Sequence, residues 1–346
     1  MLRKACAERS GLLGARVAPL GALTALVGAL GMLALTPAFA VRPQSPENFV
    51  PVTDAMLQDP DPSDWLMWRR TLDGWGYSPL NQVNRENVDE LRMVWSRGMG
   101  PGSQQATPLV YDGVMYLPNP RDVIQAIDAA TGDLLWEYRR NLPEGTATGG
   151  LSTTNRNLAI HGDRIIDTST DGYVFALDAT TGEQVWETQI LDYEVNRAMQ
   201  SSGPIIAGGK IVSGRSCSPR GGPEACVIVA HDATTGEELW RRRTIPAPGE
   251  PGDETWGDVP FEERKHVGAW MVPSYDPDLN LIYIGTSVTA PAPKFLLGGA
   301  DLAHLYHNST LALDADTGDI VWYYQHRNGR SESTDVLRRM ELHAND

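Results

Sequence analysis

The 346-residue sequence predicts an all-β protein built from repeated antiparallel sheets. Three observations support this fold class. A frame of the form A-x-D-x-x-T-G-x-x-x-W occurs four times without gaps, at residues 126–136, 176–186, 230–240 and 312–322. Short apolar stretches alternate with turns rich in Gly, Pro and Asp, which is typical of β-strands. No long stretch shows the 3.6-residue period of an amphipathic helix.

Each copy of the frame predicts a β-hairpin. In the second copy, residues 173–177 are apolar and rich in β-forming side chains, as expected at the end of a strand. Asp178 can accept hydrogen bonds from the backbone N–H groups that follow it, and Gly182 allows the positive φ at which the chain reverses. Trp186 lies on the returning strand. Because a buried indole removes roughly 150–250 Å² from water, the recurring tryptophan predicts that neighbouring repeats dock through this ring.

The spacing of the repeats predicts a β-propeller. The intervals from Trp136 to Trp186 and from Trp186 to Trp240 are close to the roughly 40–50 residues of a four-stranded blade. The longer interval from Trp240 to Trp322 indicates an insertion. Strands are expected within residues 107–117, 123–128, 158–169, 203–214 and 280–286, and a short helical turn at residues 88–91.

The N-terminal residues 1–40 have the features of a signal peptide. Arg3 and Lys4 begin a basic region, residues 17–35 are apolar, and residues 38–40 form an A-x-A cleavage site. The alternative interpretation is an uncleaved membrane anchor. Residues 41–66 are rich in Pro and Asp and predict an extended lead-in. Export of this kind predicts a periplasmic protein.

The charge and cysteine content argue against nucleic-acid binding and covalent haem attachment, and they predict a disulfide. The net charge is −15, and removal of residues 1–40 makes the remainder still more acidic. This balance argues against nucleic-acid binding, which favours basic patches. Cys6 leaves with the signal peptide, and Cys217 and Cys226 remain in one Pro- and Gly-rich loop. An even pair in an exported protein predicts a disulfide. There is no C-x-x-C-H motif for covalent haem.

Several stretches together carry a resemblance to a known family. They are the four tryptophan frames, the W-x-R…G-x-x-Y-S-P-L-x-Q-V-N pattern at residues 68–84, the P-A-P-G-E-P-G loop at residues 246–252 and the S-Y-D-P-D-L-N-L-I-Y run at residues 274–283. In these features the chain resembles the pyrroloquinoline-quinone-dependent (quinoprotein) alcohol dehydrogenases, over roughly residues 64–326. The resemblance implies a propeller of about eight blades, of which residues 67–326 would form about half.

The resemblance also implies cofactor-binding residues. Gln105 matches a family Glu that touches pyrroloquinoline quinone (PQQ), and Arg156, in T-N-R, matches an Arg that reaches the quinone oxygens. Ser201 matches a hydroxyl residue that bonds a cofactor carboxylate. Trp270 matches the ring on which the quinone lies. For each residue an ordinary structural role remains the alternative: a polar turn for Gln105 and Ser201, a surface arginine for Arg156 and a core tryptophan for Trp270.

The family's metal ion, calcium or a lanthanide, is not matched by recognisable ligands. The ligand Glu of the family falls near Pro219 and its ligand Asn falls at Val288. Neither side chain offers the oxygen that a hard cation requires. Glu224, Ser287 and Thr289 are nearby oxygen-bearing alternatives. The sequence therefore assigns no metal ligand.

The tail departs from the family after His326. The family continues to a segment that carries its catalytic Asp, whereas residues 327–346 diverge. Glu332 lies near the expected position by count alone and is the weak catalytic candidate. A reading frame that is shifted or cut short after His326 would explain the divergence. Half a propeller leaves a sheet edge exposed, so the chain is expected to dimerise, to meet a complementary chain that closes the propeller, or to be an unstable fragment.

Two functions compete at this level. The first is an exported PQQ-dependent dehydrogenase that oxidises alcohols or related hydroxyl substrates and passes electrons to a periplasmic cytochrome or a membrane quinone. The alternative is a non-catalytic PQQ-repeat propeller that serves as a protein-interaction scaffold. A glycan-binding or sensor propeller is a third option without a dedicated motif. The cofactor-like loops favour the enzyme.

Overall fold

The computed structural model describes residues 49–146, 154–196, 198, 200–217, 221–265, 267–289, 297–298 and 302–326. Across this part of the chain, sixteen strands form four antiparallel sheets of four strands each. Within every sheet the strands are neighbours in the order in which they occur along the chain. The predicted all-β repeat architecture is therefore confirmed.

The four sheets, named I to IV, follow one another in sequence. Sheet I contains β1 (Leu109–Tyr111), β2 (Val114–Asn119), β3 (Val123–Asp128) and β4 (Leu134–Arg139). Sheet II contains β5 (Ala159–His161), β6 (Arg164–Thr168), β7 (Tyr173–Asp178) and β8 (Gln184–Gln189). Sheet III contains β9 (Ile205–Ala207), β10 (Lys210–Ser213), β11 (Val227–Asp232) and β12 (Glu238–Arg243). Sheet IV contains β13 (Ser274–Asp276), β14 (Leu281–Gly285), β15 (Ser309–Asp314) and β16 (Ile320–Gln325).

The helices are short. The helix α1 spans Asp54–Gln58, and Thr53 caps it by accepting a hydrogen bond from the backbone N–H of Met56. Within the described ranges, four 3-10 turns span Val88–Glu90, Pro223–Ala225, Asp253–Trp256 and Phe261–Glu263. The turn at Val88–Glu90 confirms the helical turn expected there. The lead-in is not extended throughout, because α1 lies within it.

The frame forms the hairpin between the last two strands of each sheet. In sheet II, Asp178 Oδ1 accepts the backbone N–H groups of Thr180 and Thr181 at 2.9 and 3.0 Å. Gly182 follows with φ of +73°. Equivalent aspartates make the same pair of bonds in the other sheets, at Asp128, Asp232 and Asp314. The predicted Asx turns are therefore present in all four copies.

The tryptophan of one sheet packs on the turn glycine of the next. A Cβ built on Gly182 would lie 2.5 Å from the ring of Trp136, so the contact requires glycine. The same arrangement joins Trp186 to Gly236 and Trp240 to Gly318. The indole N–H of Trp136 also donates to the carbonyl of Ala179 at 3.0 Å, and that of Trp240 donates to Ala315 at 3.0 Å. These contacts confirm that neighbouring repeats dock through the tryptophan.

A further tryptophan docks in the same way without belonging to a frame. Trp95 covers Gly132 of sheet I, where an added Cβ would lie 2.6 Å from the indole. Its indole N–H donates to the carbonyl of Ala129 at 3.1 Å. Trp95 lies in a segment without assigned strand structure. The sequence patterns do not reveal this contact, because the segment around Trp95 lacks the D-x-x-T-G turn.

The insertion between Trp240 and Trp322 packs around Trp256. This ring is fully buried, and its N–H donates to the carbonyl of Leu305 at 2.5 Å. Arg264 lies over the ring and forms an ion pair with Asp253 at 2.7 Å. The described residues of the insertion are thus packed into the fold.

The predicted disulfide joins Cys217 to Cys226, whose Cα atoms are 4.9 Å apart. Among the described residues, none of the helices has the length and apolarity that a membrane span requires. The predicted signal peptide at residues 1–40 and the divergent tail at residues 327–346 lie outside the described residues.

Candidate functional site

The four residues expected to bind the cofactor occupy equivalent places in the repeat. Gln105 precedes β1, Arg156 precedes β5, Ser201 precedes β9 and Trp270 precedes β13. Each residue therefore lies three or four positions before the first strand of its sheet. Because consecutive sheets pack side by side through the tryptophan contacts, the repeat itself places these entry loops on a common side of the sheets.

Arg156 brings the four loops together. Its Nη2 donates to Gln105 Oε1 at 2.6 Å, and its Nη1 donates to the backbone carbonyl of Ser201 at 2.6 Å. Its guanidinium carbon lies 5.1 Å from the centre of the Trp270 ring, which is a cation–π distance. One side chain from the entry loop of sheet II therefore contacts the entry loops of sheets I, III and IV.

The guanidinium is buried among neutral partners. Arg156 is 8% exposed, and its contacts are an amide oxygen, a backbone carbonyl and an indole face. Burial lowers the pKa of Arg156 below its ordinary value. A buried cation without a carboxylate partner is costly, and an anionic group with suitable oxygens would offset that cost. The site is therefore suited to an anion that also has a flat face.

Ser201 contributes differently from the sequence expectation. Its backbone carbonyl, rather than its hydroxyl, holds Arg156. Its neighbours Gln200 and Ser202 both donate to the carbonyl of Gly214, at 2.8 and 2.9 Å. The expected bond from the Ser201 hydroxyl to a cofactor carboxylate remains a prediction.

Residues beside Arg156 were missed by sequence reasoning. Asn155 Nδ2 donates to the buried Asp167 Oδ2 at 2.6 Å, and Asn157 Nδ2 donates to the carbonyl of Pro204 at 2.7 Å. Burial and the nearby Asp122 carboxylate raise the pKa of Asp167 well above its usual value. The available signal was the pair of asparagines that flank the arginine in T-N-R-N.

The described side chains do not provide a recognisable metal site. In the described ranges, no group of three or more His, Cys, Asp or Glu residues lies close enough together to hold a metal ion. Val288 is apolar and buried, and Glu224 forms an ion pair with Arg243 at 2.9 Å. Ser287 Oγ accepts the backbone N–H of Gly268 at 3.0 Å. This donor chemistry does not fit calcium or a lanthanide, which favour several oxygen ligands.

Two positions considered from the sequence lie outside the described residues. They are Pro219, near which the family's ligand Glu falls, and Glu332, the weak catalytic candidate. The catalytic base therefore stays unassigned.

The repeat, the sheets and the entry-loop site agree with a known sequence family. Residues 65–328 match the protein family described as "Glucose/ethanol/alcohol dehydrogenase, beta-propeller domain". The chain belongs to this family. The resemblance inferred from the tryptophan frames and loops is thus confirmed.

Relatives of the chain carry consistent names. It is 34% identical over 314 residues to the quinohemoprotein alcohol dehydrogenase ADH-IIG of Pseudomonas putida, covering 86% of this chain and 43% of the relative. It is 33% identical over 286 residues to the dehydrogenase subunit of the quinone-type alcohol dehydrogenase of Gluconacetobacter polyoxogenes, covering 77% of this chain and 39% of the relative. The chain thus spans about two fifths of the length of these relatives.

Solved structures confirm the fold. The structure of ADHIIG from Pseudomonas putida HK5 matches with a TM-score of 0.73 at 31% identity, over 83% of this chain and 44% of that one. The quinohemoprotein alcohol dehydrogenase of Comamonas testosteroni matches with a TM-score of 0.67 at 29% identity, over 78% and 42%. The four sheets correspond to about half of such a propeller.

Proposed function

We propose that this chain binds PQQ at the entry-loop site and serves in the oxidation of alcohols or related hydroxyl substrates. The observation that carries the proposal is the convergence on Arg156 of Gln105, Ser201 and Trp270. A planar, multiply anionic molecule matches a buried cation beside an indole face. The family and the names of the relatives support the same chemistry.

Each side chain has a definite part in holding the cofactor. Trp270 offers a flat apolar face, and Arg156 offers donors for carboxylate or carbonyl oxygens. Gln105 already accepts from Arg156, so its amide N–H groups are the part that can donate to a ligand. The Ser201 hydroxyl supplies a further donor. When bound, the quinone supplies the hydride acceptor for alcohol oxidation.

The described residues of the site act on the ligand through charge and orientation. Arg156 would stabilise negative charge on the ligand and keep the ligand oriented. Neither a metal ion nor a catalytic base is assigned to a described side chain. The described residues therefore contribute binding, orientation and electrostatic stabilisation.

The remaining parts of the functional proposal follow from the sequence and the relatives. We infer a periplasmic location from the signal-peptide features of residues 1–40, and a cytochrome or a quinone as the electron acceptor. The exposed ring of Trp322 supports docking of a further sheet, from a second copy or a complementary chain. The acidic surface would steer a basic electron-transfer partner.

Cofactor binding tests the proposal directly. PQQ is titrated into the purified chain, followed by tryptophan fluorescence and quinone absorbance, in EDTA, in Ca²⁺ and in a lanthanide salt. We expect saturable binding that weakens at least about tenfold in Arg156→Ala and in Trp270→Ala. Arg139→Ala is the matched control, because the side chain of Arg139 is 67% exposed on sheet I.

The outcomes separate the candidate functions. Binding that is lost in both site variants and retained in Arg139→Ala supports the proposal, and a dye-linked alcohol assay then tests turnover. A folded, β-rich chain that binds no PQQ under any of the three metal conditions would contradict it. That result would favour the interaction scaffold instead.

A further inference from the structure

Within the described residues, a buried side-chain bridge ties the loop that carries Arg156 to sheet II. Asn155 is 5% exposed and uses both ends of its amide. Its Nδ2 donates to Asp167 Oδ2 at 2.6 Å, and its Oδ1 accepts the backbone N–H of Asn157 at 3.3 Å. The amide therefore spans Arg156, with one bond to the sheet and one bond to the residue after the arginine.

Asp167 is the anchor of this bridge. It lies in β6, and its side chain is fully buried. Its Oδ1 accepts the backbone N–H of Thr168 at 2.7 Å while its Oδ2 accepts from Asn155. Both donors are neutral amides. A buried carboxyl group of this kind is costly compared with an apolar side chain, so its presence in the interior of a sheet calls for a role other than stability.

The other ties of the loop lead to different sheets. The carbonyl of Arg156 accepts the backbone N–H of Thr107 at 3.1 Å, which links the loop to sheet I. Asn157 Nδ2 donates to the carbonyl of Pro204, just before sheet III. Gly203 permits this approach, because a Cβ there would lie 2.0 Å from the carbonyl oxygen of Asn157. Asp167 therefore supplies the side-chain tie from the loop to its own sheet.

We propose that Asp167 is a positioning residue that acts through Asn155 to direct the Arg156 guanidinium toward Gln105, Ser201 and Trp270. The consequence for cofactor affinity rests on the proposed function. The positioning itself does not, because it can be measured without cofactor. Asp167 touches neither the guanidinium nor the Trp270 ring in any contact described above, so its effect must pass through the loop.

A reciprocal exchange tests the bridge with little change in volume. In Asp167→Asn, the new amide cannot accept from both Thr168 and Asn155, so one bond is lost. In Asn155→Asp, two carboxyl groups face each other. In the double exchange, the carboxylate at position 155 accepts from the amide at position 167 and from the N–H of Asn157. The amide oxygen at position 167 still accepts from Thr168, so all three bonds are restored.

The first measurement uses the full chain without PQQ. The chain contains ten tryptophans, and their ¹⁵N-labelled indole resonances report ring surroundings. The Trp270 resonance is identified by its loss in Trp270→Phe. We expect Asp167→Asn and Asn155→Asp to shift it in the same direction as Arg156→Ala, and the double exchange to return it. The matched control is Asp163→Asn, whose carboxyl group is largely exposed in the β5–β6 hairpin of the same sheet.

The second measurement is PQQ affinity in the same variants. We expect each single exchange to weaken binding about tenfold, as loss of a buried bond that orients a charged group would, and the double exchange to recover it. In an Arg156→Ala background, Asp167→Asn should leave affinity unchanged. A merely structural role would instead lower affinity equally in both backgrounds.

The outcomes are decisive for positioning whether or not PQQ binds. An unmoved Trp270 resonance in Asp167→Asn, or a double exchange as perturbed as the single variants, would overturn the proposal. If Asp167→Asn does not fold, Asn155→Ala breaks the same bond and takes its place in both measurements. A wild-type chain that binds no PQQ would refute the proposed function while the Trp270 resonance still decides the role of Asp167.

Discussion

Trp240 and Trp322 occupy the same place in the same repeat frame and have opposite surroundings. Trp240 is 8% exposed, lies on Gly318 and donates to the carbonyl of Ala315. Trp322 is 44% exposed, and its described ring contact is with Tyr283 of its own sheet. Both hairpins form equally well, with the same Asx turn and the same register shift. The frame therefore encodes the hairpin, whereas burial of its ring depends on the hairpin that follows.

The largest expected effect contrasts the two rings. Trp240→Ala should lower the free energy of unfolding by about 3–5 kcal/mol, because it removes a buried ring and leaves a cavity between sheets III and IV. Trp322→Ala should lower it by less than about 1 kcal/mol in the isolated chain. Urea unfolding of both variants, followed by circular dichroism, measures the difference.

Addition of a docking partner sharpens this contrast. If a further sheet covers Trp322, the cost of Trp322→Ala should approach that of Trp240→Ala in the complex. Equal costs in the isolated chain, with unchanged dependence on urea, would show that Trp322 is already covered.

The next effect concerns a histidine in the third frame. The second residue of the frame is aliphatic in three hairpins (Ile127, Leu177 and Leu313) and is His231 in the third frame, and all four side chains are buried. Neither ring nitrogen of His231 has a hydrogen-bond partner in the described structure. Burial lowers the pKa of His231 from 6.5 to about 4, although the Glu238 carboxylate acts in the opposite direction.

This shift predicts a pH-dependent difference between the native chain and His231→Leu. In the unfolded state the His231 ring is protonated below about pH 6.5, whereas in the folded state it is protonated only below about pH 4. His231 therefore lowers the free energy of unfolding as the pH falls from 6.5 to 4. The variant should gain up to about 3 kcal/mol over the native chain by pH 4. Urea unfolding at several pH values measures the difference.

Comparison of the native chain with His231→Leu isolates the contribution of His231 to the pH dependence of stability. Asp122, whose pKa is raised by burial to about 6, contributes in the opposite direction in both proteins. A difference between the two chains that does not change from pH 7 to pH 4 would show that His231 titrates normally.

The smallest effect separates ring contact from backbone strain. Gly318 has φ of +71°, and an added Cβ would lie 2.4 Å from the Trp240 ring. Gly113 has φ of +77° with nothing within 4 Å of its added Cβ. Both changes to alanine carry a strain of about 1–2 kcal/mol, and Gly318→Ala should cost about 1–3 kcal/mol more through overlap. If Gly318→Ala and Gly113→Ala lower the urea midpoint equally, the Trp240 ring moves away from the new methyl group without measurable cost.

The hairpins could be predicted because their signals are local. Asp178, Gly182 and Trp186 lie within one frame, and each acts on backbone or ring neighbours that the repeat fixes. Trp95 was missed because its own segment lacks the D-x-x-T-G turn, so no pattern around the ring marks its docking on the turn at Ala129, 34 residues away. The helix α1 was missed because its five residues are too few for a helical period to show.

The site was predictable only in part. Resemblance identified Gln105, Arg156, Ser201 and Trp270, and the shared position before each first strand explains why they converge. The use of the Ser201 carbonyl could not be read from its side chain. The bond between Asn155 and Asp167 joins the loop before β5 to the neighbouring strand β6, and no spacing rule in the sequence specifies that pairing.

The tryptophan contacts also impose an order in time. Trp136 donates to the carbonyl of Ala179, which is 43 residues later, and Trp240 donates to Ala315, which is 75 residues later. Where export keeps pace with synthesis at about 5–20 residues per second, these acceptors would follow the tryptophans across the membrane after roughly 2–9 s and 4–15 s. The indole of each new sheet therefore stays exposed until the hairpin of the next sheet has emerged. The insertion that precedes β15 makes this wait longest for sheet III, which is where a chaperone would find the ring most accessible.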